Sequence, residues 1–113
     1  MVLTPLSSNL ERYMDLLSTR QRVAASNVAN AATPGYKTRD IDFQFEYRSA
    51  LEGAAPDVVE VPGMKARNDG NNVNLDRESR MLAENSIRFN AASSLWKQQA
   101  RFMRMAIEEG KNG

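Results

Sequence analysis

The chain of 113 residues holds no histidine and no cysteine, so acid–base, nucleophilic or metal chemistry would fall to carboxylates, amines and hydroxyls. Imidazole bases, thiolate nucleophiles, disulfides and the usual zinc-ligand sets are removed together. The nearest approach to a catalytic pair is Asp40 and Asp42. No base or metal partner can be named around them, and they read as a solvated acidic face; Glu108-Glu109 reads the same way. The expectation is a protein with no catalytic residue, no cofactor and no metal, and therefore not an enzyme.

Phosphate binding by arginines is the other chemistry to test. On a helix advancing about 100° per residue, Arg77, Arg80 and Arg88 cluster on one side and Lys97, Arg101 and Arg104 lie roughly opposite, so no continuous basic stripe forms. With 15 Lys and Arg against 14 Asp and Glu, the net charge of +1 gives no field that would draw nucleic acid or an anionic membrane. Those positions read as solvated helix surface or as charge pairs between subunits.

The polar residues with the most pointed placement are Asn27 and Asn30, three apart in a run of small residues, Ala24 to Ala32. Asparagine is a poor helix former, so its choice there asks for a reason. Either the two amides face solvent near a helix end, or they bond backbone at a close helix contact and fix its register.

The elements that must carry these residues are legible from glycine and proline. Residues 34–70 hold Pro34, Pro56, Pro62, Gly35, Gly53, Gly63 and Gly70, while residues 6–33 and 71–109 hold neither type. That division predicts a mainly α protein: two long N- and C-terminal helices forming a coiled-coil-like hairpin, with a short irregular, β-containing insert between them. Segments 1–33, 34–73 and 74–113 together make one domain. The first helix starts at Thr4-Pro5 and stops where Thr33 meets Pro34, with Pro34-Gly35 suited to the centre of a type II turn. Along it Leu3, Leu6, Leu10, Tyr13 and Leu17, then Ala24, Val28 and Ala31, follow a 3,4 spacing. The last helix starts behind Asn74 as N-cap, runs to about Glu109, and carries Leu75, Leu82, Phe89, Trp96 and Met103 at seven-residue intervals. Such a repeat is a seam facing a partner helix.

In the insert, Ile41 to Tyr47 alternate as a strand would, but Phe43, Tyr47, Ala50 and Leu51 also suit a short helix, and a mixed or helical segment is the preferred reading. Val58, Val59 and Val61 read as a short extended piece. Helices of roughly 40 and 50 Å are longer than a 12.6 kDa globule needs, so the molecule should be elongated. Two helices alone cannot cover such faces, which makes neighbouring chains the expected source of stability and leaves an isolated chain frayed at both ends. The segment Met1 to Leu6 shows no basic, apolar leader, so no cleaved secretory peptide is expected, and a mean hydropathy of -0.55 excludes a membrane span.

Residues Ala25 to Lys37, with two asparagines ahead of Thr33-Pro34-Gly35-Tyr36, resemble the N-terminal signature of the bacterial flagellar rod and hook proteins. Asp40-Ile41-Asp42-Phe43, the run Asp69 to Glu78, and Ala83 to Phe89 are similar to the proximal-rod members of that family rather than to its other branches. Only about residues 44–65 lack a recognisable pattern. The resemblance implies a structural subunit of the basal body that polymerises through its terminal helices into the proximal rod and transmits torque. It implies export by the flagellar type III apparatus, and a place in the periplasmic space. The partners it implies are other rod subunits, the rod-base adaptor FliE, the MS ring and the export gate. The expected interface residues are Asn27, Asn30, Thr33, Pro34, Gly35 and Tyr36 from this signature, with Leu82, Phe89, Trp96 and Met103 from the seven-residue repeat. The competing reading is a soluble helical adaptor or chaperone of a type III-like secretion system.

Overall fold

In a computed structural model, residues 5–51 and 55–112 are described. Helix α1 spans Pro5–Ala29, strand β1 Arg39–Asp40, helix α2 Phe43–Leu51, strand β2 Val59–Glu60 and helix α3 Leu75–Asn112. The two strands pair antiparallel, Arg39 against Glu60 and Asp40 against Val59. Helices α1 and α3 run in opposite directions: the turn after α1 meets the loop before α3, and farther along, Leu17 and Gln21 share a groove with Ser86 and Phe89. The molecule measures 71 × 26 × 17 Å, the elongated hairpin that the helix lengths require.

Local chemistry explains the boundaries. Pro5 sits in the first turn of α1, where its missing N–H is no loss. Helix α1 stops at Ala29, short of the expected stop where Thr33 meets Pro34. Beyond it the Asn30 N–H is shared between the carbonyls of Ser26 and Asn27, and Ala31 N–H reaches back only three residues, to Val28. The Asn74 side chain accepts the Arg77 N–H at 3.0 Å, so it is the N-cap of α3. That helix continues through Gly110 to Asn112 rather than stopping at Glu109. Glycine in a helix costs about 1 kcal/mol but ends it only when the chain turns into positive φ, and Gly110 does not.

The ambiguous insert resolves as a helix because Asp42 caps it, its carboxylate accepting the Phe45 N–H at 3.2 Å. Asp42 is exposed as expected, but its role is local. Helix α2 lays Phe43 and Tyr47 edge-on against Tyr13 of α1, with ring centroids 5.5 and 6.3 Å apart.

The seams differ from expectation in register. On α1, Leu17 and Ala24 are buried but Leu6 and Val28 are exposed, while Leu3 lies outside the described residues. On α3 the buried positions are Glu78, Asn85 and Ala92, themselves seven apart. The apolar heptad line runs along their flank instead: Leu82, Trp96 and Met103 are half-buried, and Leu75 and Phe89 exposed. The buried row on α3 is thus polar or small, with the large apolar side chains displaced to its flank. Among the described residues the buried set includes nine polar or charged side chains against six apolar ones, too thin an apolar core to carry the fold alone.

Candidate functional site

Most of the buried polar residues gather at one end of the hairpin, where the loop before α3 folds over the end of α1. The turn that follows α1 is held from elsewhere in the chain: the Asn71 side-chain amide donates to the carbonyls of Asn30 and Thr33 at 2.9 and 2.8 Å, and the Arg67 guanidinium donates to the carbonyl of Ala31. Asn71 is held in turn by the Val73 N–H, donated to its Oδ1 at 2.9 Å. Thr33-Pro34-Gly35-Tyr36 forms the expected type II turn: Tyr36 N–H donates to the Thr33 carbonyl at 3.2 Å, and Gly35 has φ +75°. Gly35 N–H donates to the Asp69 carbonyl, Lys37 Nζ donates to the Gly70 carbonyl, and a Cβ on Gly70 would sit 3.4 Å from the Gly35 backbone. Two loops thus touch glycine to glycine.

Asn27 is 0% exposed and every polar atom of its side chain is used. Nδ2 donates to the Arg39 carbonyl at 2.8 Å, and Oδ1 accepts the Arg39 N–H at 3.1 Å and the Tyr36 hydroxyl at 2.9 Å. Its carboxamide pairs with one residue of β1 as a neighbouring strand would, on the edge away from β2. The buried, backbone-bonding reading therefore holds for Asn27, although the backbone belongs to the returning chain and not to a second helix. Asn30 behaves differently. Its amide donates to its own helix at the Ser26 carbonyl, 2.9 Å, and its oxygen accepts the Thr33 hydroxyl. Next to this, Thr38 N–H donates to Asn72 Oδ1 at 2.6 Å and its hydroxyl to the Asn72 carbonyl.

Asp40 overturns the reading of a solvated acidic face: it is 8% exposed. Arg20 grips it with two parallel N–H···O bonds of 3.0 Å, Arg77 adds a third of 2.8 Å, and the Ile41 N–H adds a fourth. Arg77 also donates to Glu78 at 2.7 Å. Burial pushes the Asp40 carboxyl up, but the Arg20 bonds, the Ile41 N–H, the charge of Arg20 and the Arg77 bond outweigh it and hold it below its ordinary 3.8. A carboxylate with both oxygens so occupied is a structural anion that links α1, β1 and α3, and it has no lone pair free to act as a base. Among the described residues, no group of carboxylates is arranged to hold a metal ion.

Of the residues expected to matter, Asn27, Asn30, Thr33, Gly35 and Tyr36 meet in this clasp, with Pro34 exposed in the turn. Leu82, Phe89, Trp96 and Met103 lie along α3, and Phe89 walls a groove with Leu17 and Gln21. Sequence reading gave no bonding role to Arg20, Arg67, Asn71 or Asn72, and gave Arg77 to the surface or to charge pairs between subunits. The available signal was the clustering of Asn71, Asn72 and Asn74 before a helix start.

A helical hairpin whose polar cluster is consumed by internal bonds, and whose apolar rows lie outside, is a structural subunit. The family whose sequence description matches, "Flagella basal body rod protein", aligns over residues 14–37, the α1 half of the clasp. Among similar proteins, the "Flagellar basal body rod protein FlgB" of Escherichia coli (strain K12) is 30% identical, covering 88% of this chain and 91% of that protein. The FlgB of Cereibacter sphaeroides is 33% identical over 82% and 86%, and that of Proteus mirabilis 28% identical over 88% and 91%. The chain belongs to this family of flagellar basal body rod proteins. It is a structural protein of the flagellar basal body, not an enzyme, and among the described residues no helix is long and apolar enough to cross a membrane.

Proposed function

We propose that the chain polymerises through α1 and α3 into the proximal rod, where axial helices from many subunits share one wall and pass torque outward. The observation that carries this is the uncovered apolar surface of α3: Leu95, Phe102, Met105 and Ile107 are all more than half exposed. A monomeric surface helix has no use for that surface, and a packed tube does. In this reading Asn27, Asn30, Thr33, Pro34, Gly35 and Tyr36 set the angle at which the helices leave the clasp, and Leu82, Phe89, Trp96 and Met103 touch neighbours. Segments 1–33, 34–73 and 74–113 work as one domain. The neighbours are other rod subunits, the rod-base adaptor FliE, the MS ring and the export gate. The subunit reaches them across the periplasmic space after type III export without a cleaved signal. A soluble secretion adaptor draws no support from the named relatives.

The test is Trp96→Ala at normal expression and export. Truncating a large apolar side chain buried between subunits costs about 2–5 kcal/mol per subunit, so rod formation should fail and motility with it. Intact rods would show that this row is not a contact, and a cryo-electron microscopy map of isolated basal bodies would place the neighbours.

A further inference from the structure

We infer that the outer half of α3 receives the acidic face of α1 from a second copy of this chain, with Glu11 and Asp15 seated on Lys97, Arg101 and Arg104. This rests on α1 and α3 being assembly surfaces, and it names the charges that join them.

Both halves of the contact are unpaired within the subunit. Among the described residues every ion pair lies between Arg20 and Arg80, and Glu11, Asp15, Lys97, Arg101 and Arg104 enter none. At about 100° per residue, Lys97, Arg101 and Arg104 fall on one strip of α3, within about 60° of one another. All three are exposed. Glu11 and Asp15 stand one turn apart on α1, and Arg12, between them in sequence, lies about 100° round the helix from Glu11. Like charges one turn apart destabilise a helix that stands alone. Each helix carries such a set, with opposite sign and the same four-residue step, so each relieves the other's repulsion when the two meet.

The basic strip is also a groove, lined by Trp96, Lys97, Ala100, Arg101 and Arg104. Its side chains offer donors alone: two guanidinium groups, an ammonium and an indole N–H. The Trp96 Nε1 is buried without an acceptor. Such a set is complementary to carboxylates.

The carboxylates of the same chain are out of register with it. The antiparallel pairing that sets Leu17 and Arg22 beside Ser86 and Asn90 leaves Glu11 and Asp15 level with about residues 93–97. Arg101 and Arg104 lie past that level, so a second copy displaced along the axis by roughly 9 Å brings the two sets opposite each other. The contact joins two different surfaces of the chain. It is therefore heterologous, leaves one set free at each end of a row of subunits, and propagates instead of closing into a dimer.

The chain has no cysteine, so introduced thiols would be its only ones. Copies carrying Asp15→Cys and copies carrying Arg101→Cys, produced together in motile cells, should give about tenfold more disulfide-linked dimer in oxidised basal bodies than Asp15→Cys with Arg88→Cys, which lies on the other side of α3. Rods that form with no dimer above that control would overturn the contact and leave the rod reading standing. A wild-type chain that builds no rod would remove the rod reading and this inference with it. A single chain carrying both cysteines that closes only on itself would also overturn it. Charge exchange decides the case in which a cysteine variant fails to assemble. Asp15→Arg and Arg101→Asp should each lower the number of rods per cell about tenfold, and one chain carrying both should restore it to within about twofold of wild type. Single variants that assemble normally would overturn the inference. So would a double variant no better than the singles, which would assign the acidic partner to another protein.

Discussion

At the clasp end of the hairpin, α1 and α3 are joined by side-chain amides and a buried ion cluster; at the open end they present apolar rows with hardly any buried surface. The bonds at the first end are directional and, Glu78 Oε2 apart, satisfied within the chain, so they specify one geometry. The surfaces at the second are non-directional and incomplete, so they hold the chain weakly alone and strongly in company. A subunit of a larger assembly gains from both.

Breaking the clasp should give the largest effect on the free subunit. Asn27→Ala leaves the Arg39 N–H and C=O and the Tyr36 hydroxyl without partners, at about 3–5 kcal/mol in all, read as a lower urea midpoint. Asp40→Asn should cost somewhat less, about 2–4 kcal/mol at pH 7, because two arginines lose their counter-ion but remain partly hydrated. Its pH signature is more telling. A carboxyl held below its ordinary 3.8 stabilises the fold fully above that value and ceases to as pH falls through the lower folded value. Wild-type stability should thus drop below about pH 4 by an amount that Asp40→Asn lacks, measured by urea unfolding at pH 7 and pH 3.

Smaller effects sharpen the contrast. Gly35→Val forces a β-branched residue to φ +75° and should cost about 1–3 kcal/mol in thermal or urea unfolding. Asn30→Ala should cost about 0.5 kcal/mol or less, since its bonds to the Ser26 carbonyl and the Thr33 hydroxyl are exposed and water can replace them. Phe102→Ala, at a side chain 71% exposed, should leave the monomer within about 0.5 kcal/mol of wild type while impairing rod assembly in a motility assay. A Phe102→Ala monomer as unstable as the Asn27→Ala one would erase the difference between the two ends.

What could be read from sequence was local. The Thr33-Pro34-Gly35-Tyr36 turn and the Asn74 cap depend on φ preferences and bonds within four residues, and both stand in the structure. The helical hairpin followed from where glycine and proline are absent. Asn27 could be narrowed to two readings but not decided, because its partner Arg39 lies across a turn of unknown path. Asp40 was misread for the same reason on a longer scale: Arg20 and Arg77 are 20 and 37 residues away, and nothing in one sequence says that they converge. The heptad of Leu75, Leu82, Phe89, Trp96 and Met103 was visible, yet the row that is buried is Glu78, Asn85 and Ala92, because burial depends on what packs over the helix and not on apolar spacing alone.

That row has a mechanical consequence. A rod that turns loads its subunits in shear, and the cheapest failure of two antiparallel helices is to slide past each other by one repeat, about 10 Å, after which a uniform apolar seam would fit as well as before. Glu78, Asn85 and Ala92 are three different teeth. A slide of one repeat would carry Arg77 away from Asp40 and set an amide where a carboxylate had been, so the displaced position is no longer a resting place. The hairpin can flex under torque and return, but it has only one notch.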